Sequence, residues 1–477
     1  MTQRLRVAVL VPGVIEEWHL RCMDRLRTVA DVSVETVGDP GSGADLVLAL
    51  DPRGVEPSAG RLGTLAFLFG EPPAGLPPGW DEVRRRLPTT ACRLVLVRPG
   101  RGAEVLRHAV VQTSPHSVTA TARRVLDSCI PWPAQVVLDL LQRGDAALEG
   151  PAVLLPPASP PPGRAARLHA AASASAGASA RLRRMASEDH WAIGIVGKPA
   201  AAFLDDPTPS PVRWLPEVVP GGYLADPFPV EHDGRAMLLA EGYDYRDRLG
   251  YLAAIDPQRP ERPPLRMEVP VPGHLSYPLP VVKDGVLHIV PESHQARRVV
   301  LLRAGEPFPV RWETAAVLLD GFAGVDCTPV EHDGRWWLFC ADNDDQDQTK
   351  LFLFMAEALE GPWRPHPQNP VKIDCRTSRP GGRPFVHGGS LYRPAQDCSL
   401  SYGGAIVLNR VVELTPHRFV EEVAARIEPD PNGPYPHGLH HFVPWGDVTV
   451  IDGNRRHLGA GTVARWLSYR LRSRSAR

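Results

Sequence analysis

The sequence predicts a multidomain protein in which an N-terminal α/β unit is followed by an all-β five-bladed β-propeller. A recurring phrase is the first of three observations behind this. It returns at intervals of about fifty residues as Asp226-Pro-Phe-Pro-Val-Glu-His-Asp-Gly-Arg, Tyr277-Pro-Leu-Pro-Val-Val-Lys-Asp-Gly-Val and Asp326-Cys-Thr-Pro-Val-Glu-His-Asp-Gly-Arg. Weaker copies follow at Pro380-Gly-Gly-Arg-Pro-Phe-Val-His-Gly-Gly-Ser and His440-His-Phe-Val-Pro-Trp-Gly-Asp. Each copy has an apolar stretch, a tight Asp-Gly-type turn and a second apolar stretch that often ends on an acid: a β-hairpin, repeated. Punctuation is the second observation, because 52 prolines and 42 glycines suit many short strands better than long helices. The third is that strand-like and helix-like spacing alternate only within residues 1–145.

In chain order, Leu5 to Val11 reads as a buried first strand. It superficially resembles a secretory leader, but its apolar run is short and soon meets Glu16 and Glu17. Trp18 to Val29 has helical spacing; Val32 to Val37, Asp45 to Leu50 and Thr64 to Phe69 read as strands, and Val118 to Leu126 and Pro133 to Leu141 as helices. Residues 146–190 read as a linker, with a stiff run from Pro156 to Gly163 and only Ala, Ser and Gly from Ala170 to Ala180. The propeller is expected over 191–463 and a basic tail over 464–477. That tail interleaves Trp466 and Tyr469 with arginines; a solvated tail and a contact with anionic lipid are its two readings, the first the simpler.

A formal net charge of −1 gives no field that favours nucleic acid. No apolar run is long enough to span a bilayer. Seven cysteines without a CxxC pair fit reduced thiols and a cytoplasmic protein, not a zinc site. The GxGxxG dinucleotide signature is absent, and no cofactor is expected.

If the hairpins are blades, their first strands line one axis and matched positions converge at its mouth. Counting back seven positions from the turn gives Asp226, Tyr277, Asp326, Pro380 and His440. The second strands end near Glu241, Glu292, Asp342 and Asp397. Carboxylates held close together cannot all ionise, so they separate into an acid and a base, as glycosidic bond cleavage requires. Asp226, Glu292 and Asp326 are therefore the candidate catalytic residues. Asp226 is expected as base or nucleophile, Glu292 as general acid and Asp326 as the group that orients them. Tyr277, Arg379, Arg393, Asp397, His440 and Glu241 are the candidate substrate contacts, with Tyr277 and Tyr243 as aromatic platforms. For Arg379 and Arg393 a phosphate or uronate subsite stands beside an Arg–Asp pair between blades. The histidines near His440 suggest hydrogen bonding, and no metal is expected. Asp233, Asp284 and Asp333 belong to the turns.

Two resemblances add to this reading. Trp18-His-Leu-Arg-Cys-Met-Asp-Arg-Leu, Phe69-Gly-Glu and Val105-Leu-Arg-His-Ala-Val-Val-Gln-Thr resemble the formyltransferase-like domain of bacterial two-domain proteins, which implies a Rossmann-type fold. That chemistry needs an Asn-His-Asp set. Here the segment for the His reads Phe67-Leu-Phe-Gly-Glu71 and the loop for the acid reads Pro99-Gly-Arg-Gly102, so a degenerate, structural domain is expected. In the second half, Leu224-Ala-Asp-Pro-Phe, Val290-Pro-Glu-Ser, Asp333-Gly-Arg-Trp-Trp-Leu, Ser378-Arg-Pro-Gly-Gly and Tyr392-Arg-Pro-Ala-Gln-Asp-Cys-Ser resemble the N-terminal domain of plant glucosamine inositolphosphorylceramide transferases. The propeller is similar to those of arabinanase- and xylosidase-type glycosidases. Together these imply a sugar or glycoconjugate partner, with either cleavage or transfer at a glycosidic bond, a glycan-binding scaffold, or a biosynthetic enzyme that reuses the pocket.

Overall fold

A computed structural model describes residues 4–37, 43–50, 60–70, 76–154 and 187–458. Glu71, most of the expected linker and the basic tail lie outside the described residues. The chain divides into two compact units, Met1–Ser179 and Ala180–Arg477.

The first unit is built on a seven-stranded mixed sheet: β1 (Leu5–Leu10), β2 (Val32–Val37), β3 (Leu46–Ala49), β4 (Gly63–Leu68), β5 (Thr89–Arg98), β6 (Gly102–Gln112) and β7 (Ala152–Val153), in the order β2-β1-β3-β4-β5-β6-β7. The first four strands pair in parallel and the last three antiparallel. Among the described residues four α-helices accompany them: α1 (Glu17–Arg27), α2 (Trp80–Arg85), α3 (Val118–Cys129) and α4 (Trp132–Arg143). The β5–β6 hairpin lies outside the sequence expectation. Leu94, Val95, Leu96 and Val97 are all buried, and a continuous apolar run cannot be told from a helical one by period alone. Phe67 and Phe69 stack 5.7 Å apart against Trp18 as core. Among the described residues no helix is long and apolar enough to cross a membrane.

The second unit has five sheets of at least four strands each. Blades one to four open on Gly222–His232, Ser276–Lys283, Gly324–His332 and Phe385–His387, and each meanders outward. Blade five takes its two inner strands, Phe442–Trp445 and Val448–Leu458, from the end of the unit and its two outer ones, Ser187–Val196 and Val212–Trp214, from the beginning. The strand that holds Trp191 therefore starts the propeller in sequence but belongs to its last blade. The ring is closed by hydrogen bonds. Phe228, Tyr277, Leu279 and Val443, from the first strands of three blades, meet at the axis.

Continuous apolar runs arise because each blade is buried on both faces. In Arg235–Asp244, Met237 and Leu239 pack on blade two, while Leu238 and Ala240 pack against blade five. Burial of such side chains contributes roughly 1.5–3 kcal/mol each. The Asp-Gly turns form as expected, with φ of 48° and 71° at Asp233-Gly234, 51° and 76° at Asp284-Gly285, and 51° and 72° at Asp333-Gly334. Two-residue turns of that conformation match the twist of the strands they join.

Candidate functional site

The first strands of blades one to three carry the same interruption. Two residues stand opposite one between Ala225 and Phe228, Ser276 and Leu279, and Val325 and Thr328. The first residue of each bulge is left-handed: Asp226 at φ 49°, Tyr277 at 47° and Asp326 at 48°. A bulge re-aims a side chain out of the normal alternation, here toward the axis, and Asp tolerates that backbone better than Tyr.

The second strands complete the cluster. Glu241 and Glu292 pair with Ala225 and Ser276, just before the bulges, and both are buried. Oε2 of Glu292 accepts the Asp326 N–H of the next blade at 3.3 Å, and Oε1 lies 2.7 Å from His294 Nδ1. Blade five repeats the device: Oδ2 of Asp452 accepts the Asp226 N–H at 3.3 Å, and Oδ1 accepts the His440 and His441 N–H groups at 3.0 Å each. His440 lies between two acids, its Nε2 3.3 Å from Asp226 and its Nδ1 2.7 Å from Asp452. The second contact is close, but its N–H direction is poorly aligned with the oxygen. Trp191 covers the His440 ring at 3.8 Å. Oδ2 of Asp326 accepts from Arg379 Nε at 2.8 Å and Gln396 Nε2 at 3.0 Å. Arg379 also pairs with Asp347.

Proton affinities in this cluster diverge. Burial lifts Asp226 to about 6; His440 opposes the rise, and Asp452 and Glu292 add to it. Burial also holds Glu241 well above the carboxylate range, reinforced by Asp226 and Glu292. Glu292 moves the other way, to about 2, because the His294 hydrogen bond and the charges of Arg379 and His274 outweigh its burial. Asp452 is likewise lowered, its burial outweighed by His440. His440 is raised, since Asp452 and Asp226 overcome the burial that would lower it. Burial pushes Asp326 up while Arg379 pulls it back, and its Oδ2 is spent on two donors.

Asp226, Glu241, Glu292, Asp326, Arg379 and His440 are thus brought together. Three expected contacts are not. Tyr277 is fully buried and makes no platform: its hydroxyl accepts the Gly382 N–H at 2.9 Å and meets Thr328 Oγ1 at 2.9 Å, and its ring touches Phe228 and His441. It ties blade two to the other four. Arg393 is spent inside blade four on Glu421, at 2.9 and 2.6 Å, and on two carbonyls. Asp397 pairs with Arg426 at 3.1 Å and accepts the Ser399 N–H, one position along from the inward-facing Gln396. Glu292, expected as the general acid, is the carboxyl whose proton affinity moves down, toward the ionised form.

His441 and Gln396 complete the surroundings, with Asp452 and Tyr402, which lie outside the sequence expectation. For Asp452 a signal exists: Val448-Thr-Val-Ile-Asp452 brings an acid to the second strand of the fifth repeat, after an apolar stretch. Asp226, His440 and Asp452 each offer a donor atom within 4.8 Å of the others, the spacing of a cation site. With one His440 nitrogen on each carboxylate, the arrangement suits proton sharing better than convergence on one ion. A cavity of about 270 Å³ lined by Pro211, Trp214, Tyr435 and Asp452 reaches none of the candidate catalytic residues.

Residues 264–435 match the family model described as the N-terminal part of glucosamine inositolphosphorylceramide transferase 1. The chain is 33% identical over 203 residues to that transferase from Oryza sativa subsp. japonica, which covers 40% of this chain and 27% of the relative. It is 30% identical over 254 residues to the Arabidopsis thaliana protein, covering 50% and 33%. The chain therefore spans a third or less of these relatives' length. Among solved structures, the GH43 protein BlXynB of Bacillus licheniformis aligns at TM-score 0.32 and 16% identity, over 42% of this chain and 43% of its own. The compost-metagenome β-xylosidase/α-arabinofuranosidase CoXyl43 aligns at 0.34 and 12%, over 51% and 93%.

Proposed function

We propose that the propeller acts on a sugar or sugar-linked substrate at the buried carboxylate cluster, with cleavage or transfer at a glycosidic bond as the reaction. The plant relatives are named glucosamine inositolphosphorylceramide transferases, and the sugar in that name is carried over here as part of the proposal. The observation that supports the chemistry is the convergence of Asp226, Glu292 and Asp326, set by matched bulges and the Glu292 contact with the Asp326 N–H, with Asp226 raised and Glu292 lowered in proton affinity. Asp226 then serves as the general acid, giving its proton to the leaving oxygen as the anomeric bond breaks. Glu292 stays ionised and either attacks the anomeric carbon or takes a proton from the incoming hydroxyl. Asp326, fixed by Arg379 and Gln396, holds the floor of the site.

The test is turnover of an aryl-glycoside panel by wild type, Asp226→Asn and Glu292→Gln. Each substitution is expected to lower the rate by about 10²–10⁴-fold with the fold intact. Unchanged turnover by Asp226→Asn would remove the proposal.

A glycan-binding module without catalysis is the second reading, and one observation favours it. Glu292 and Asp452 each tie down the bulge N–H of the following blade, a structural duty sufficient to account for an acid there. Sugar binding by both wild type and Asp226→Asn, with turnover by neither, selects this reading. A structural role is proposed for the N-terminal unit in either case, supported by the packing of Trp18, Phe67 and Phe69 as core.

A further inference from the structure

We propose that Tyr402 is the residue on which a sugar ring stacks at the mouth, and that the site takes an uncharged or amino sugar in preference to a uronate or sugar phosphate. The inference rests on the carbohydrate reading above and narrows it.

Tyr402 lies in the turn between Ser390–Asp397 and Ala405–Leu414 of blade four. It is 36% exposed, whereas Tyr277 and Trp191 are 0% and 3% exposed. Its ring lies 5.0 Å from the Arg379 guanidinium carbon, 5.4 Å from the His440 ring and 6.3 Å from Trp191, so it overhangs the carboxylate cluster while part of it meets solvent. Its hydroxyl makes no hydrogen bond among the described residues, although a tyrosine packed among polar groups normally finds a partner. A ring with open surface and an unspent hydroxyl above an acid–base set is what a pyranose needs: its C–H face lies on the ring and one hydroxyl meets the phenol.

The platform is preorganised. Asp397 accepts the Ser399 and Gly404 N–H groups at 2.8 and 2.9 Å, and Gly403 accepts from Leu439 of blade five at 2.9 Å. Gly403 has φ +57°, and a Cβ there would stand 2.5 Å from that of His440.

Selectivity follows from how the charges are spent. Arg379 is consumed by Asp326 and Asp347, and Arg393 by Glu421, so neither offers its fork to an anion. Glu292 and Asp452, the carboxylates held ionised in the cluster, face an incoming carboxylate or phosphate with repulsion, and an ammonium with attraction.

Calorimetric titration of the full chain with glucose, glucosamine, glucuronate and glucose 1-phosphate tests both parts. Wild type is expected to bind the two anionic sugars at least about tenfold more weakly than the other two. Tyr402→Ala should weaken glucose and glucosamine by about tenfold, and Tyr402→Phe, which keeps the ring, by no more than about threefold. Tighter binding of either anion overturns the selectivity. Equal glucose binding by wild type and Tyr402→Ala overturns the stacking role and leaves the carbohydrate reading standing. Failure of wild type to bind any of the four overturns both.

Discussion

At Asp226 the backbone is left-handed with φ 49°, the carboxyl is buried, and Asp452 and Glu292 oppose its ionisation. Three unfavourable terms at one position fit the catalytic role proposed for it. Because its affinity is raised from 3.8 to about 6, the folded state binds a proton across that interval that the unfolded chain has released. Its contribution to stability is complete below the unfolded value and is lost as pH rises through the folded one. Asp226→Asn should therefore match wild type near about pH 3 and exceed it by on the order of 2–3 kcal/mol near about pH 8 in denaturant titrations. A variant less stable than wild type at the higher pH would contradict this account. If Asp226 is the general acid, the alkaline limb of the pH–rate profile should fall near about pH 6. A flat profile through that region would assign the proton elsewhere.

The hairpin is the scale at which the sequence was most legible, and also where it misled by one residue. Asp226, Glu241, Glu292 and Asp326 were readable because similar phrases, and the second strands that follow them, put them at matched heights. Asp342 and Asp397 look equivalent in the sequence, yet Ala341 pairs with Val325 just before the bulge, and Gln396 is the residue that reaches Asp326. A strand alternates faces at every residue, so a count wrong by one lands on the other side of the sheet. Asp452 was obscured by the poor fifth repeat, and Tyr402 by sitting in a turn that lies outside the repeated phrase. The link between blades three and four is the most exposed to mutation. Arg379 and Asp326 are both buried, so Arg379→Met should destabilise the propeller by about 3–5 kcal/mol by leaving Asp326 without its partner. Adding Asp326→Asn should restore part of that loss in chemical denaturation, and a strictly additive double variant would show that the two do not act as a pair.

Across the whole molecule, five interfaces of alternating apolar side chains hold the blades, and the ladder of blade five joins the two ends of the ring. Ile193, 2% exposed, pairs with Asp452 in that ladder, whereas Arg266 sits on the exposed outermost strand of blade one. Ile193→Pro should abolish the cooperative thermal transition of the propeller, and Arg266→Pro should shift it little. Similar melts for the two would mean that closure contributes little. The sequence showed five units but not this seam, because the Ser187–Val196 strand carries no copy of the repeated phrase.

That seam also sets an order on biosynthesis. The Ser187–Val196 strand leaves the ribosome long before its partner at Val448–Leu458, about 260 residues later. At about 5–20 residues per second, it spends on the order of 10–50 s with its pairing edge unmet. The acid of that late partner is Asp452, which fixes His440 and the Asp226 bulge, so the centre can be assembled only after translation of the last blade.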